Sequence, residues 1–254
     1  MVIDFTGKSV LITGAGGYVG HALCKSYCES GVENIILLDH PDNTDRVIEL
    51  ADECSKTGVG VKYYFASYED ISTIEAAVEK MNKDGVKVDI LVNNAGLNVM
   101  DSVSDINEEI WDYVFDVNIK GAFFLTKLIA EQSLVARKGN IVFVASQHAV
   151  VGNVKRASYC ASKSAILGLV NALTAEWAPY GIRVNCVSPT FIINATNYDY
   201  LMSPENKRKY LNKIPLKHYA KPEDIANAIT FLSSQQADSI TGHNLIVDGG
   251  YTRV

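Results

Sequence analysis

Cysteine is sparse and poorly spaced for metal binding. The five in this 254-residue chain, Cys24, Cys28, Cys54, Cys160 and Cys186, form no CxxC pair and no Cys/His cluster. A zinc site is therefore not expected, and no other metal is implied. Their odd number, with no secretory leader ahead of the first apolar run, points to a reducing cytoplasm. Cys24 and Cys28 share a helix face and read as packing residues. No apolar run is long enough to span a bilayer: the opening MVIDFTGKSVLITGA holds only a short strand before glycine. Basic residues are not in excess either. Lys and Arg number 23 against 29 Asp and Glu, a net charge of -6, which gives no footing for a nucleic-acid surface. The cluster Lys207, Arg208, Lys209 reads as a solvated helix face. Internal repeats, low-complexity tracts and domain linkers are missing as well.

The hydrophobic share, 48%, suits one well-filled domain over residues 1–254. Apolar runs rich in β-branched residues predict strands at Val10–Thr13, Ile35–Leu38, Val61–Phe65, Ile90–Val92, Ile141–Val144, Arg183–Val187 and Asn244–Val247. Helical spacing predicts helices over Val19–Tyr27, Val47–Ser55 and Ile71–Met81, and Pro222 starts another through Leu232. Near-continuous apolar strands separated by helices belong to a parallel sheet covered on both faces. The fold class is thus α/β, a single-domain Rossmann-type doubly wound parallel sheet with helices on both faces. Residues 191–218 interrupt the pattern. Ser203 before Pro204 marks a helix start there, and a small helical flap over the site is expected.

The segment Thr13-Gly14-Ala15-Gly16-Gly17-Tyr18-Val19-Gly20 follows a strand and precedes a helix. Glycine permits a tight turn and close backbone approach to a pyrophosphate, and the helix start presents unpaired N–H groups to that anion. Gly14, Gly17, Tyr18, Val19 and Gly20 are the candidates for this contact. Asp39 closes the next strand, IILLD, where its carboxylate can accept from the adenosine ribose hydroxyls. A 2′-phosphate there would meet like charge, so NAD is favoured over NADP. Arg46, a little downstream, is expected on the following helix.

Tyr159 and Lys163 lie one helical turn apart, with Ser146 upstream at a strand end. A phenol titrates near about 10, and a neighbouring ammonium favours its ionised form. A Tyr so placed can exchange a proton with an alcohol or a carbonyl oxygen. Together with TGAGGYVG at 13–20, NNAG at 93–96, Asn118 in FDVNIKG, YCASK at 159–163, RVNCVSP at 183–189 and ITGHNLIVDGG near the end, these residues resemble the short-chain dehydrogenase/reductase family in its compact branch of about 250 residues, over essentially the whole chain.

The resemblance implies a tetrad. Tyr159 is the general acid/base and Ser146 holds the substrate oxygen. Lys163 binds the nicotinamide ribose and depresses the Tyr159 pKa, while Asn118 holds a helix kink and a proton-relaying water. It further implies that Asn93, Ala95 and Gly96 line the cofactor, and that Pro189, Phe191 and Ile192 flank the nicotinamide. Three departures from the family pattern stand out. Tyr18 replaces the middle glycine, giving the extended branch's spacing. Ala66 or Ser67 stands where an Asp often bonds adenine. Thr190 follows Pro189 in place of glycine, with Asn194 where a Thr often contacts the cofactor.

The expected substrate wall comprises Leu97, Asn98, Ser146, Gln147, His148 and Asn153. Gln147, His148 and Asn153 are polar enough to hydrogen-bond several hydroxyls, which suits a sugar, sugar acid or polyol. His148 as a surface histidine and Asn153 as a turn residue are the plainer readings. The alternatives in function are a 3-oxoacyl or other lipid-like ketone reductase, and a silent NAD-binding regulatory protein, against which the intact tetrad speaks. The resemblance also implies a homotetramer or homodimer, paired through the Tyr–Lys helix, whose apolar stripe is Ile166, Leu167, Val170 and Leu173, and through its neighbour after Asn107.

Overall fold

In the computed structural model, which describes residues 3–253, β1 (Ser9–Thr13) is buried along its whole length. Its side chains divide by the two-residue period of a strand. Val10 and Ile12 enter one apolar cluster, and Leu11 enters another on the opposite face. A strand covered on both sides needs apolar residues at every position, which is why SVLIT shows no alternation. The same holds for β2 (Asn34–Asp39), β4 (Ile90–Asn93), β5 (Asn140–Val144) and β6 (Arg183–Pro189).

With β3 (Gly60–Phe65) and β7 (Asn244–Val247) these strands form a seven-stranded sheet among the described residues. All its pairings are parallel, in the order β3-β2-β1-β4-β5-β6-β7. The chain runs outward from β1 to β3, then returns to lay β4 on the other side of β1. The crevice at the carboxyl ends of β1 and β4 is the switch point at which such sheets bind ligands.

One face is covered by α1 (Tyr18–Glu29), α2 (Thr44–Ser55) and α10 (Pro222–Ser233), through Leu23, Leu50 and Ile229. Cys24 and Cys54 are buried there with Cys28 partly covered beside them, so these thiols pack. The other face is covered by α3 (Ile71–Lys83), a long helical run and α7 (Ala157–Trp177). The long run comprises α4 (Glu108–Phe115), a π-helical segment (Asp116–Gly121), α5 (Ala122–Ile129), a second π-helical segment (Ala130–Leu134) and α6 (Val135–Arg137). Ile166, Val170 and Leu173 of α7 are buried against the sheet. The stripe expected to pair subunits is core instead, because it is the face α7 must cover.

Between β6 and α10 the chain leaves the sheet. Two short helices, α8 (Tyr198–Met202) and α9 (Pro204–Lys209), stand in residues 191–218. Pro204 occupies the first helical position of α9, and Asn206 N–H donates to Ser203 Oγ at 3.3 Å. Leu201, Tyr210, Ile214 and Tyr219 form a small core of their own, joined by Phe191 and Tyr251. No helix among the described residues is long and apolar enough to cross a membrane.

Candidate active site

β1 delivers its chain straight into the glycine turn. Gly14 takes a positive φ of 63°, and a Cβ there would lie 2.9 Å from Ala95 Cα. Only glycine lets the turn approach the loop after β4 so closely. That approach is fastened by Asn94, whose Nδ2 donates to the carbonyls of Thr13 (2.9 Å) and Gly14 (3.0 Å). Thr13 Oγ1 accepts from the backbone N–H groups of Asn94 and Ala95, each at 3.0 Å. α1 then begins at Tyr18 with no side-chain cap, so its first N–H groups and the positive end of its dipole are free for an anion. Tyr18 itself is exposed at the cleft edge. Gly20 lies behind the turn, where a Cβ would run into the carbonyl of Ala15, and serves helix packing rather than ligand contact.

Asp39 is buried at the end of β2 and accepts three hydrogen bonds, from Gly16 N–H (2.7 Å), His40 N–H (2.7 Å) and Asn43 Nδ2 (2.8 Å). The carboxylate is thereby aimed before any ligand arrives. Arg46 stands on α2, and its Cβ comes within 3.4 Å of the Cβ position at Gly16. Around these residues opens a cleft of about 680 Å³, bounded at its far end by Ile192 and Asn194. That volume falls within the range of cofactor sites. Ala66 belongs to its wall, together with Tyr68 and Glu69.

Asn93 departs from expectation. It shares a strand face with Leu91, so its side chain turns toward α5, where Nδ2 donates to Thr126 Oγ1 at 2.8 Å. The cleft wall is Asn94, Ala95, Gly96 and Leu97. Strand alternation through β4 carries the signal that separates the two asparagines. Pro189 is likewise buried in register with Val247, and Phe191 packs among aromatic rings, so of the three residues expected beside the nicotinamide only Ile192 lines the cleft.

The reacting groups converge from three elements. Ser146 lies two residues past β5 and caps a short 3₁₀ turn (Gln147–Ala149), with its Oγ accepting from His148 N–H at 3.1 Å. Tyr159 and Lys163 come from the first two turns of α7, with Lys163 Nζ 5.8 Å from the Tyr159 ring centroid. That ammonium is buried and donates to Val144 O at 2.9 Å, leaving protons for another acceptor. A Cβ at Gly96 would sit 3.0 Å from Lys163 Nζ and 3.1 Å from Asn118 Oδ1. Glycine there keeps the two groups reachable from the cleft, as a ribose hydroxyl requires. Turn, aimed carboxylate, open helix start and reachable ammonium all fit a nicotinamide dinucleotide.

Asn118 lies in the π-helical segment, a form of distortion common at functional sites. Its Nδ2 donates to Leu97 O (2.9 Å) and Ser162 Oγ (3.0 Å), and its Oδ1 accepts Leu97 N–H at 2.8 Å. Both amide protons are committed to bracing the loop after β4 against α7. Any relay through this residue has only an oxygen lone pair to use.

Burial, the largest influence on the Tyr159 phenol, raises its pKa above the usual value, with the Ser146 hydroxyl and the Arg156 charge pulling the other way. The expected depression by Lys163 is therefore not realised in the free protein. The ammonium is itself pushed down to about 8 by burial. Desolvation outweighs the neighbour because Lys163 is buried and the Tyr159 phenol is largely covered.

His148 is no surface residue. It is buried, edge-on to Tyr159 (6.4 Å between centroids) and Phe191 (5.9 Å), and burial with the Arg156 charge pushes its pKa down to about 4. Its Nδ1 faces Val151 O at 3.3 Å, and since a carbonyl only accepts, that nitrogen carries the proton. Asn153 spends its Oδ1 on Val154 N–H (2.9 Å) and sets Nδ2 3.4 Å from His148 Nε2, so it is a turn residue that also supports the imidazole. Asn98 is exposed and Leu97 partly covered. Gln147 is almost wholly buried, yet neither its amide nitrogen nor its oxygen has a partner. Among the described residues no group of three His, Cys, Asp or Glu is placed to hold a metal ion.

A family model described as enoyl-(acyl carrier protein) reductase matches residues 14–252. The chain is 34% identical over 251 residues to the NAD-dependent glycerol dehydrogenase of Listeria innocua, covering 98% of this chain and 95% of that protein. It is also 34% identical over 253 residues to the 3-oxoacyl-(acyl-carrier-protein) reductase FabG of Rickettsia bellii, covering all of both. A gluconate 5-dehydrogenase from Burkholderia cenocepacia, solved in complex with NADP and tartrate, superposes with a TM-score of 0.91 at 25% identity, over 99% of this chain and 97% of that one.

Proposed function

Because the chain belongs to the short-chain dehydrogenase/reductase family, whose members are NAD(P)-dependent oxidoreductases acting on CH–OH groups, we propose that it interconverts a secondary alcohol and a ketone on a hydroxylated, sugar-like substrate, with NAD as the preferred cofactor. The observation that carries the reaction is the convergence of Ser146, Tyr159 and Lys163 beside the glycine-turn cleft. The chemistry a bound nicotinamide supplies is hydride acceptance. Tyr159 takes the hydroxyl proton of the alcohol, and Ser146, whose hydroxyl lies beside the phenol, holds the substrate oxygen. Lys163 places positive charge behind the phenol and offers its remaining protons to the cofactor ribose. The flap residues 191–218 exclude water above the reacting carbon, with Phe191 resting against His148.

Gln147 supports a polyhydroxylated substrate. A buried amide with both ends unpaired costs free energy, which substrate hydroxyls would offset. The aromatic cluster of Phe191, Tyr210, Tyr219 and Tyr251 favours a second reading, reduction of a 3-oxoacyl or similar lipid-like ketone. Asp39 supports NAD, since it sits at the strand end where the adenosine ribose binds in such folds. Arg46 on α2, with its Cβ close to the turn, is the cation that would argue for NADP. The exposed outer face of α7, with small residues at Ser164, Gly168, Ala172 and Ala175, and the exposed Trp111 of α4, a helix that packs on α7, support pairing into a homodimer or homotetramer.

The test is a turnover screen of sugars, sugar acids, polyols and 3-oxoacyl thioesters with NAD(H) and NADP(H), following absorbance of the reduced cofactor. Turnover of hydroxylated compounds with NAD is the expected result. Turnover confined to oxoacyl thioesters would select the second reading, and none at all would remove the enzyme assignment. A monomer in sedimentation at micromolar concentration would remove the assembly.

A further inference from the structure

Arg156 stands three residues before Tyr159, at the position that opens α7. The side chain is partly covered, its Nε is fully buried without a partner, and no carboxylate pairs with it among the described residues. A guanidinium keeps its charge at any working pH and offers five donors in a planar fork. Holding one half inside a protein with no counter-charge is unfavourable unless an anion completes the site. The groups that feel the field of the guanidinium are the Tyr159 phenol, the His148 imidazole and the phenols of Tyr200, Tyr210 and Tyr251. Its charge thus reaches both the reacting phenol and the phenols of the flap from the start of α7. Lys209, another cation beside the flap phenols, is engaged over the Tyr210 ring at 5.1 Å.

We infer that Arg156 selects the substrate by its charge, holding the carboxylate of a hydroxy acid, or of the matching oxo acid, while Tyr159 works at a hydroxyl further along the same molecule. This rests on the oxidoreductase reading and narrows its substrate to sugar acids. A single guanidinium balances a single carboxylate in a bidentate pair, whereas a phosphate dianion would call for a second free cation. The carboxylate takes no part in the bond changes. The carbinol C–H bond breaks with hydride passing to the oxidised nicotinamide, the O–H proton passes to Tyr159, and the C–O bond becomes a carbonyl. Gln147, next to Ser146 with an unpaired amide, is available to the hydroxyls between the two ends.

The full chain is assayed on aldonates, on the alditols of the same carbon skeletons, and on the matching sugar phosphates, with both nicotinamide cofactors. The wild type should prefer an aldonate to its alditol by about 30-fold or more in kcat/KM. Arg156→Gln should lose about 100-fold on the acid, carried by KM, with the alditol changed less than about threefold. Its thermal midpoint and cofactor Kd should match the wild type, and Arg156→Lys should restore part of the loss. The inference is overturned if the wild type prefers alditols, sugar phosphates or oxoacyl thioesters, or if Arg156→Gln depresses acid and alditol alike. Should no compound turn over, the oxidoreductase reading fails on its own. Calorimetric titration of aldonate into wild type and Arg156→Gln then decides the arginine: binding lost in the variant upholds the anion site, while equal or absent binding overturns it.

Discussion

Asp39 and Gln147 are both buried, yet Asp39 accepts three hydrogen bonds and Gln147 makes none. The contrast extends to their neighbourhoods. Around the glycine turn, Thr13, Asn94 and Ala95 are laced together, so the cofactor cleft is set before anything binds. On the Tyr159 side, Gln147 and Arg156 Nε lie buried and unpaired. A cradle of the first kind loses little freedom on binding, which suits a cofactor used for every turnover. A pocket of the second kind carries a cost in the free state that the right polar substrate relieves, which serves selectivity.

The largest expected effect separates the two ends outright. Tyr159→Phe should lower kcat by about 10²- to 10⁴-fold and leave NAD affinity unchanged by calorimetry. A variant with full turnover would show that the phenol is not the acid/base. In the wild type, the phenol pKa lies above its usual value and that of Lys163 near 8. Below pH 8 the unprotonated phenol grows with pH, so kcat/KM for alcohol oxidation should climb, then bend near 8 as the ammonium behind it loses its proton. A flat profile from pH 6 to 9 would contradict this ordering.

The cofactor end has its own probe. Asp39→Ser removes the aimed charge and should move the ratio of kcat/KM for NADP over NAD upward by about 10- to 100-fold. No change in that ratio would mean that Asp39 braces the turn rather than reads the ribose.

His148 sharpens the account of the reacting end through stability. Its folded pKa, about 4, lies below the ordinary histidine value of about 6.5. The stability from keeping it neutral is complete above pH 6.5 and is lost as the pH falls toward 4. The loss should be on the order of 2 kcal/mol in urea melts across that window, and His148→Gln should flatten it. An unchanged slope would mean that the imidazole gains water in the folded state. The smallest effect concerns Gly96→Ala. The new methyl would press on Lys163 Nζ and Asn118 Oδ1, and turnover should fall by about three- to tenfold with the thermal midpoint nearly unmoved. A variant as active as the wild type would show that the lysine has room to move.

The seven strands, the glycine turn and the one-turn spacing of Tyr159 and Lys163 were all legible in the sequence, because each rests on a local period: two residues for a strand, about four for a helix face. The paired apolar faces of a buried parallel sheet leave the same local mark. What only the tertiary structure decided depends on neighbours distant in the chain. Asn93 turned from the cleft because α5 brought Thr126 to it, and the apolar stripe of α7 became core because the sheet lay beneath it. His148 was hidden by Phe191, 43 residues on, and burial rather than Lys163 set the direction of the Tyr159 pKa. Arg156 was visible as a letter, but its lack of a counter-charge was not. Desolvation and pairing are properties of the assembled interior, and no local pattern of residue types encodes which partners folding will bring within reach.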